Sequence, residues 1–376
     1  MGIGNKKETA CFLFLNLFII GQKKCRRKDL SRLIWPFGGK SMQKYSIADI
    51  AAICGVSKAT VSRVINNKAT GVGEETKKRV LTTIKELNYR PNTLARSVAT
   101  SCSGVIGVVV PDILNHFFPA QVRGISDVLD KNGYSMYLGN SDFDPEKEKH
   151  HLLSMVDRRV DGIILCSGVS NDTFLAQFSK YNIPLVLMGR NFDHHVCDAS
   201  IASDSEYGAA QAMRQLLSTG NRRILYMDGN AGVSGAVQRH RAYEQVLKEA
   251  GIPIDERLVH FGEFSAHFGQ ETVTRLLREG LDFTAVFSGS DMIAIGALKA
   301  LKEAGRHVPS EIEVIGFDGI EISETYDPAL STVLKPRREA AEQAATMLVS
   351  IINGTIGSMR HMTIQPTLVL RETTRK

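Results

Sequence analysis

The chain has 376 residues, 43% hydrophobic and 23% charged. That is room for two or three domains with their own cores, and an ordinary soluble composition rather than a disordered or low-complexity one. The net charge of +6 is unevenly spread: residues 1–41 carry +7, residues 42–100 carry +6, and the remaining 276 residues sum to −7. A compact basic head on an acidic body suits phosphate contact by the head alone. Six cysteines without C-x-x-C spacing read as reduced thiols of a cytoplasmic protein, not as disulfides or zinc ligands.

Residues 1–41 read as an extension outside the fold. Cys11 to Ile20 (CFLFLNLFII) is apolar and flanked by basic residues. It is too short to span a bilayer, and no A-x-A-like cleavage site follows. Two readings stay open: upstream sequence translated from an early start, with Met42 as the natural one, or a disordered or loosely membrane-associated leader. The first is preferred.

Residues 42–90 read as a helix-turn-helix domain. In SIADIAAICGVSKATVSRVINN (46–67), Ser46 stands three residues before Asp49, a capping-box start. Ile47, Ile50, Ala51 and Cys54 then fall on one stripe, and Gly55 ends the helix where a left-handed backbone is needed. Ser57 is placed to cap a second helix. That helix turns Val61, Val64 and Ile65 inward and leaves Lys58, Ala59, Ser62 and Arg63 outside, a polar face sized for the DNA major groove. An ordinary helical hairpin would share the apolar stripe but has no need of the basic outer face. A third helix, about Glu74 to Asn88, offers Val80, Ile84 and Leu87 to close a small core. Pro91 interrupts, and 91–104 reads either as a plain linker or as a hinge. As a hinge its short helix would form on DNA and lay Arg96 and Val98 into the minor groove.

From Val105 the pattern changes to short apolar runs at 105–110, 134–139, 161–166, 183–189, 223–227, 257–261, 283–287 and 312–317. Amphipathic helices separate most of them. Such βα repetition means parallel sheets covered on both faces, and this many repeats predicts two sub-domains with a ligand cleft beyond the strand C-termini. Phe117, Phe118, Arg190, Arg239, Phe264, Ser290, Asp291 and Asp318 fall at those ends. A carboxylate accepts hydroxyl hydrogens, a guanidinium donates to oxygens, and an aromatic face covers C–H groups, which together suit a polyhydroxylated ligand. The blander readings are specific: Phe117 and Phe118 as core, Arg190 paired on a rim, Asp291 as a helix N-cap, and Asp204 as a cap for the helix after it.

From Tyr45 onward the chain resembles the lactose/galactose repressor (LacI/GalR) family of bacterial regulators. The match runs through GVSKATVSRVIN, LNYRPNTLARSV, IGVVVPD, VDGIIL, GNRRI, SDMIAIGAL and VIGFDGIE, over about nine-tenths of the chain. The resemblance implies an all-α helix-turn-helix head on an α/β periplasmic-binding-protein-like body, 105–376, of two parallel-sheet sub-domains. Their crossovers are expected near 200–204, 330–335 and 361–365. It implies that Ser57 and Thr60 hold phosphates, that Lys58, Ala59 and Arg63 face bases, and that Asn92, Arg96 and Val98 belong to the DNA-binding hinge. Val98 stands where the family usually has a leucine wedge, which implies a shallower kink. The implied effector contacts are Phe117, Phe118, Arg190, Arg239, Phe264, Ser290 and Asp318. Ser290 replaces a common Asn and Gly319 the second Asp of the frequent GFDD, so ligand identity does not carry over.

The function expected is a cytoplasmic regulator, a repressor of a carbohydrate-utilisation operon, acting as a homodimer on a pseudopalindromic DNA operator and answering to a small carbohydrate effector. No leucine heptad follows the last strand, so a dimer is the simplest assembly. No cofactor, metal or membrane partner is expected. An enzyme is disfavoured, since no G-x-G-x-x-G or P-loop follows the first strand, no nucleophile elbow occurs, and the paired His150-His151 and His194-His195 lack ligand spacing. The remaining rival is an exported or membrane-associated solute-binding protein without DNA function.

Overall fold

The structure, a computed structural model, describes residues 45–65, 70–89, 102–166, 172–189, 197–355 and 360–375. The chain divides into two compact units at Pro91 and Asn92.

The first unit holds three helices, α1 (Ile47–Ile53), α2 (Lys58–Ile65) and α3 (Glu74–Glu86). Ser46 and Asp49 form the reciprocal capping box, with the Ser46 amide donating to the Asp49 carboxylate at 2.7 Å. Gly55 takes φ +62 and turns the chain out of α1. Ile50, Ala51, Cys54, Val61, Val64 and Val80 close the small core.

The second unit is a pair of lobes, each a six-stranded sheet between helices. Its strands are β1 (Val105–Val110), β2 (Ser135–Asn140), β3 (Gly162–Cys166), β4 (Leu185–Met188), β5 (Ala199–Ser203), β6 (Ile224–Asp228), β7 (Val259–Phe261), β8 (Ala285–Ser288), β9 (Glu313–Asp318), β10 (Ser331–Leu334), β11 (His361–Ile364) and β12 (Thr367–Val369). The first sheet runs β11-β5-β4-β3-β1-β2 and the second β12-β10-β9-β8-β6-β7. Every pairing is parallel except β10 with β12. The register sets Val108 beside Leu138 and Ile164 in one lobe, and Phe287 beside Ile315 in the other. Strands such as VIGVVV and GIILC are buried along their length because helices cover both faces.

The helices of this unit are α4 (Phe118–Lys131), α5 (Pro145–Asp157), α6 (Asp172–Phe178), α7 (Ser205–Ser218), α8 (Ser234–Glu249), α9 (Ala266–Arg278), α10 (Asp291–Glu303), α11 (Ile322–Thr325) and α12 (Arg337–Ile352). In the first lobe α4 and α12 share one face, whose core includes Ile125, Leu129, Ala344 and Leu348; Leu152, Met155, Leu175 and Phe178 fill the other. In the second, α9 and α10 cover Val286 and Val314, while α7 and α8 cover Tyr226, Phe287 and Phe317. Each fully buried Ile, Leu or Phe contributes about 1.5–3 kcal/mol, so each lobe has a sufficient core.

The chain passes between lobes three times: from β5 into α7, from β10 into α12, and from β11 to β12. The eight strands read from the sequence are present within two residues or so. The four not counted there, β5, β10, β11 and β12, are short and rich in Ser, Thr and Ala, without a bulky apolar run. Among the described residues no helix is long and apolar enough to cross a membrane, and no group of His, Cys, Asp and Glu is arranged to hold a metal ion.

Candidate functional site

In the first unit, Ser57 stands just before α2 and its Oγ accepts the Thr60 amide at 3.1 Å, with the Thr60 hydroxyl 2.9 Å away. Ser57, Lys58, Ala59 and Arg63 are exposed, Thr60 is half-buried, and Val61 and Val64 anchor the opposite side. The exposed set runs from the helix N-terminus through one further turn, a surface with donors for phosphate and for base edges. Asn92, Arg96 and Val98 lie outside the described residues.

In the second unit a cleft of about 820 Å³ opens between the lobes. It is built from strand C-termini and the crossovers: Phe117 and Phe118 after β1, Phe143 after β2, Ser203 on β5, Arg239 on α8, Phe264 after β7, Asp318 ending β9, and Lys335 and Arg337 at the entry to α12. Phe118 also belongs to the lobe core, with Phe117 packed edge-on to it at 5.1 Å. Phe143 of one lobe stacks on Phe264 of the other at 5.6 Å and 27°. One aromatic face thus comes from each side of the cleft.

The electrostatics centre on Asp228, which ends β6 and is fully buried. Arg239 donates to it from Nε at 2.9 Å and Nη2 at 2.7 Å, Tyr226 from its hydroxyl at 2.6 Å, and the Gly229 amide at 2.7 Å. All four are charge-assisted bonds to one carboxylate, a saturated site that fixes the guanidinium over the Phe317 ring at 4.9 Å. Asp318 takes φ +107, a strained value for a non-glycine residue, and Lys335 Nζ lies 3.6 Å from its Oδ1. Burial raises the Asp318 pKa above the ordinary carboxylate range, against the pull of Lys335. Burial likewise lowers the Lys335 pKa, opposed by Asp318. Arg337 bridges the lobes, donating to the His116 carbonyl at 3.1 Å in one and to the Gly319 carbonyl at 2.7 Å in the other.

Two expectations are corrected. Ser290, expected as an effector contact, is buried and does not line the cleft: it is the N-cap of α10, its Oγ accepting the Met292 amide at 3.3 Å. Asp291, expected as that cap, is instead the first helical residue, and its carboxylate accepts from the Ile320 amide at 2.8 Å and from the Thr332 hydroxyl. Burial, with Asp318 nearby, pushes the Asp291 carboxyl up to about 7. Asp204 is a cap, accepting the Tyr207 amide at 2.9 Å. Arg190 falls outside the described residues.

The structure thus brings Phe117, Phe118, Arg239, Phe264 and Asp318 together. It adds Lys335, Arg337, Asp228 and Phe143, which sequence reasoning missed. Lys335 and Arg337 flank Pro336 beside an expected crossover, and that was the signal available.

A profile of bacterial regulatory proteins, lacI family, matches residues 46–92, and a profile of periplasmic binding proteins and sugar binding domain of LacI family matches residues 103–372. The catabolite control protein A of Priestia megaterium is 33% identical over 309 residues, 82% of this chain and 92% of its own. The ribose operon repressor of Halalkalibacterium halodurans is 34% identical over 332 residues, 88% of this chain and 97% of its own. A crystal structure of the lac repressor dimer bound to operator and the anti-inducer ONPF has a TM-score of 0.79 at 26% identity, covering 88% of this chain and 99% of that one.

Proposed function

The chain belongs to the LacI family of bacterial regulatory proteins and is a DNA-binding transcriptional regulator; we propose that it is a cytoplasmic, homodimeric repressor of a carbohydrate-utilisation operon, released or engaged by an effector bound between its lobes. The observation that carries this reading is the cleft. Aromatic faces, a buried carboxylate–guanidinium pair and a second carboxylate converge on one space between two lobes, in the same chain as a folded helix-turn-helix. The same head argues against the solute-binding alternative, for which a groove-sized basic helix has no use.

On DNA, Ser57 and Thr60 hold phosphates while Lys58, Ala59 and Arg63 face bases, with Asn92, Arg96 and Val98 completing the contact from the hinge. In the cleft Asp318 accepts ligand hydroxyl hydrogens, Arg239 is held rigid by Asp228 to donate, and Phe117 and Phe264 cover C–H faces. An effector that weakens operator binding must itself bind the operator complex more weakly, by the same factor.

Selection of bound duplexes from a random DNA library, using the full chain with and without a panel of sugars, tests the reading. A palindrome whose enrichment changes with one sugar is the expected result. No enriched sequence under any condition would overturn it.

A further inference from the structure

Among the described residues the charges facing the cleft do not balance: Arg239, Lys335 and Arg337 line it, and Asp318 is the one carboxylate among these lining residues. Arg239 is already satisfied by Asp228 behind it. Lys335 is a buried ammonium, its side chain 14% exposed, between the rings of Phe117 at 5.0 Å and Phe317 at 5.1 Å. Its partner Asp318 stands 3.6 Å away, past hydrogen-bond length. Arg337 donates to two carbonyls, and among the described residues no carboxylate lies within ion-pair distance of it. Among the described residues that line the cleft the cations therefore outnumber the carboxylates, and Arg337 stands without an ion-pair partner two residues from a second cation whose own pairing is loose.

A neutral sugar would supply acceptors here and no charge, leaving that surplus desolvated once the cleft fills. The same cleft also asks for hydroxyls. Asp318 offers carboxylate oxygens, and Gln121 Oε1 and Ser203 Oγ, both buried on lining residues, have no hydrogen-bond partner. We propose that the effector is an anionic carbohydrate, a sugar carboxylate or a sugar phosphate, with its anionic group against Lys335 and Arg337 and its hydroxyls on Asp318, Gln121 and Ser203. The proposal rests on the cleft being the effector site and names the class of ligand it takes.

Calorimetry on the full chain tests it with matched probes: neutral hexoses and pentoses, the corresponding uronates and aldonates, the corresponding sugar phosphates, and inorganic phosphate alone. One anionic sugar binds at least about tenfold tighter than its uncharged counterpart, the worth of one charge-assisted contact. Lys335→Gln and Arg337→Gln each erase most of that advantage, and thermal midpoints of the ligand-free variants show that they fold. Carboxylate against phosphate probes decide which anion is meant. A neutral sugar binding as tightly as its anionic partner overturns the charge assignment and leaves the cleft reading standing. Inorganic phosphate binding as well as any sugar phosphate, with no preference for a uronate or aldonate over its parent sugar, reduces the site to an adventitious anion and overturns the carbohydrate part. Failure of every saccharide to bind overturns the cleft reading as well.

Discussion

Removing Arg239 is the sharpest test of how the cleft is held. In Arg239→Met the Asp228 carboxylate keeps the Tyr226 hydroxyl and the Gly229 amide but loses two of its four donors among the described residues, and with them the guanidinium that balances its charge. Both side chains are nearly inaccessible, 4% and 0% exposed, so water cannot replace what is lost. An orphaned buried charge of this kind costs about 3–5 kcal/mol. At roughly 2–4 °C per kcal/mol for a domain of this size, that lowers the unfolding midpoint of the body by about 6–20 °C. Asp228→Asn strands the guanidinium and should cost a similar amount. The double variant removes both charges and should fall short of the sum by about 2 kcal/mol or more. Denaturant unfolding followed by far-ultraviolet circular dichroism reads all four proteins. Single-variant losses below about 1 kcal/mol, or additivity within about 0.5 kcal/mol, would show that the pair is not the buried coupled unit described.

Four further variants test other sites. Asp291, with its carboxyl raised from 3.8 to about 7, binds its proton more tightly when folded, so its contribution to stability falls as pH rises between those values and levels off above. Asp291→Asn mimics the protonated form, and its thermal midpoint relative to the parent should improve from pH 5 to pH 8; an unchanged difference would refute the assignment. Gly319→Asp introduces a second carboxylate beside Asp318, yet position 319 takes φ +67 and an added Cβ would meet Leu334 Cδ1 at 2.3 Å and Cα at 2.9 Å. A loss of about 1–3 kcal/mol in denaturant unfolding is expected, and an unchanged midpoint would mean that the backbone there relaxes freely. On DNA, Arg63→Ala should cost about 1–3 kcal/mol on the selected site and relax one base position. Ser57→Ala should weaken all sequences alike and also cost about 0.5–2 kcal/mol of head stability, because its hydroxyl caps α2. Equal losses on selected and random duplexes for Arg63→Ala would defeat its role as a base reader.

The fold was legible where apolar runs are long and periodic. VIGVVV, GIILC and EVIGFD announce buried parallel strands, and the capping box at Ser46 with the stripe through Ile50 and Cys54 announces the head. ASIAS and HMTI do not, because their strand character comes from neighbours already in the sheet rather than from their own side chains. In the cleft, residue type and position at a strand end pointed to Asp318 and Phe264. They could not separate Ser290 from Asp291, since which of two adjacent residues caps a helix depends on a single backbone turn. Asp228 went unnoticed because a carboxylate at a strand end, in MDGN, is also what a tight turn looks like. Only the approach of Arg239, eleven residues later and one helical turn into α8, reveals its purpose.

The placement of the cleft residues explains why a small ligand should matter to the lobes at all. Ser203 and Ser205 flank the first crossover, Lys335, Pro336 and Arg337 form the second, and Ile364 opens the third. Crossover residues are the ones whose dihedral angles must change when two lobes turn relative to each other. Arg337 already ties the His116 carbonyl of one lobe to the Gly319 carbonyl of the other, so a ligand competing for its guanidinium acts directly on an interlobe bond. The Phe143–Phe264 stack is a second such tie, made of side chains that would also cover a sugar ring. Binding energy spent at these points differs between lobe arrangements by construction, and differential affinity for two arrangements is the one quantity through which a ligand shifts a conformational equilibrium. A residue such as Gln121, carried by α4 within one lobe and not itself on a crossover, can add affinity and selectivity while moving that equilibrium little. Gln121→Ala should therefore weaken effector binding with the coupling to operator affinity retained, whereas Arg337→Gln should reduce the coupling itself. Titration of operator affinity against effector concentration separates the two, and equal loss of coupling in both variants would refute the division.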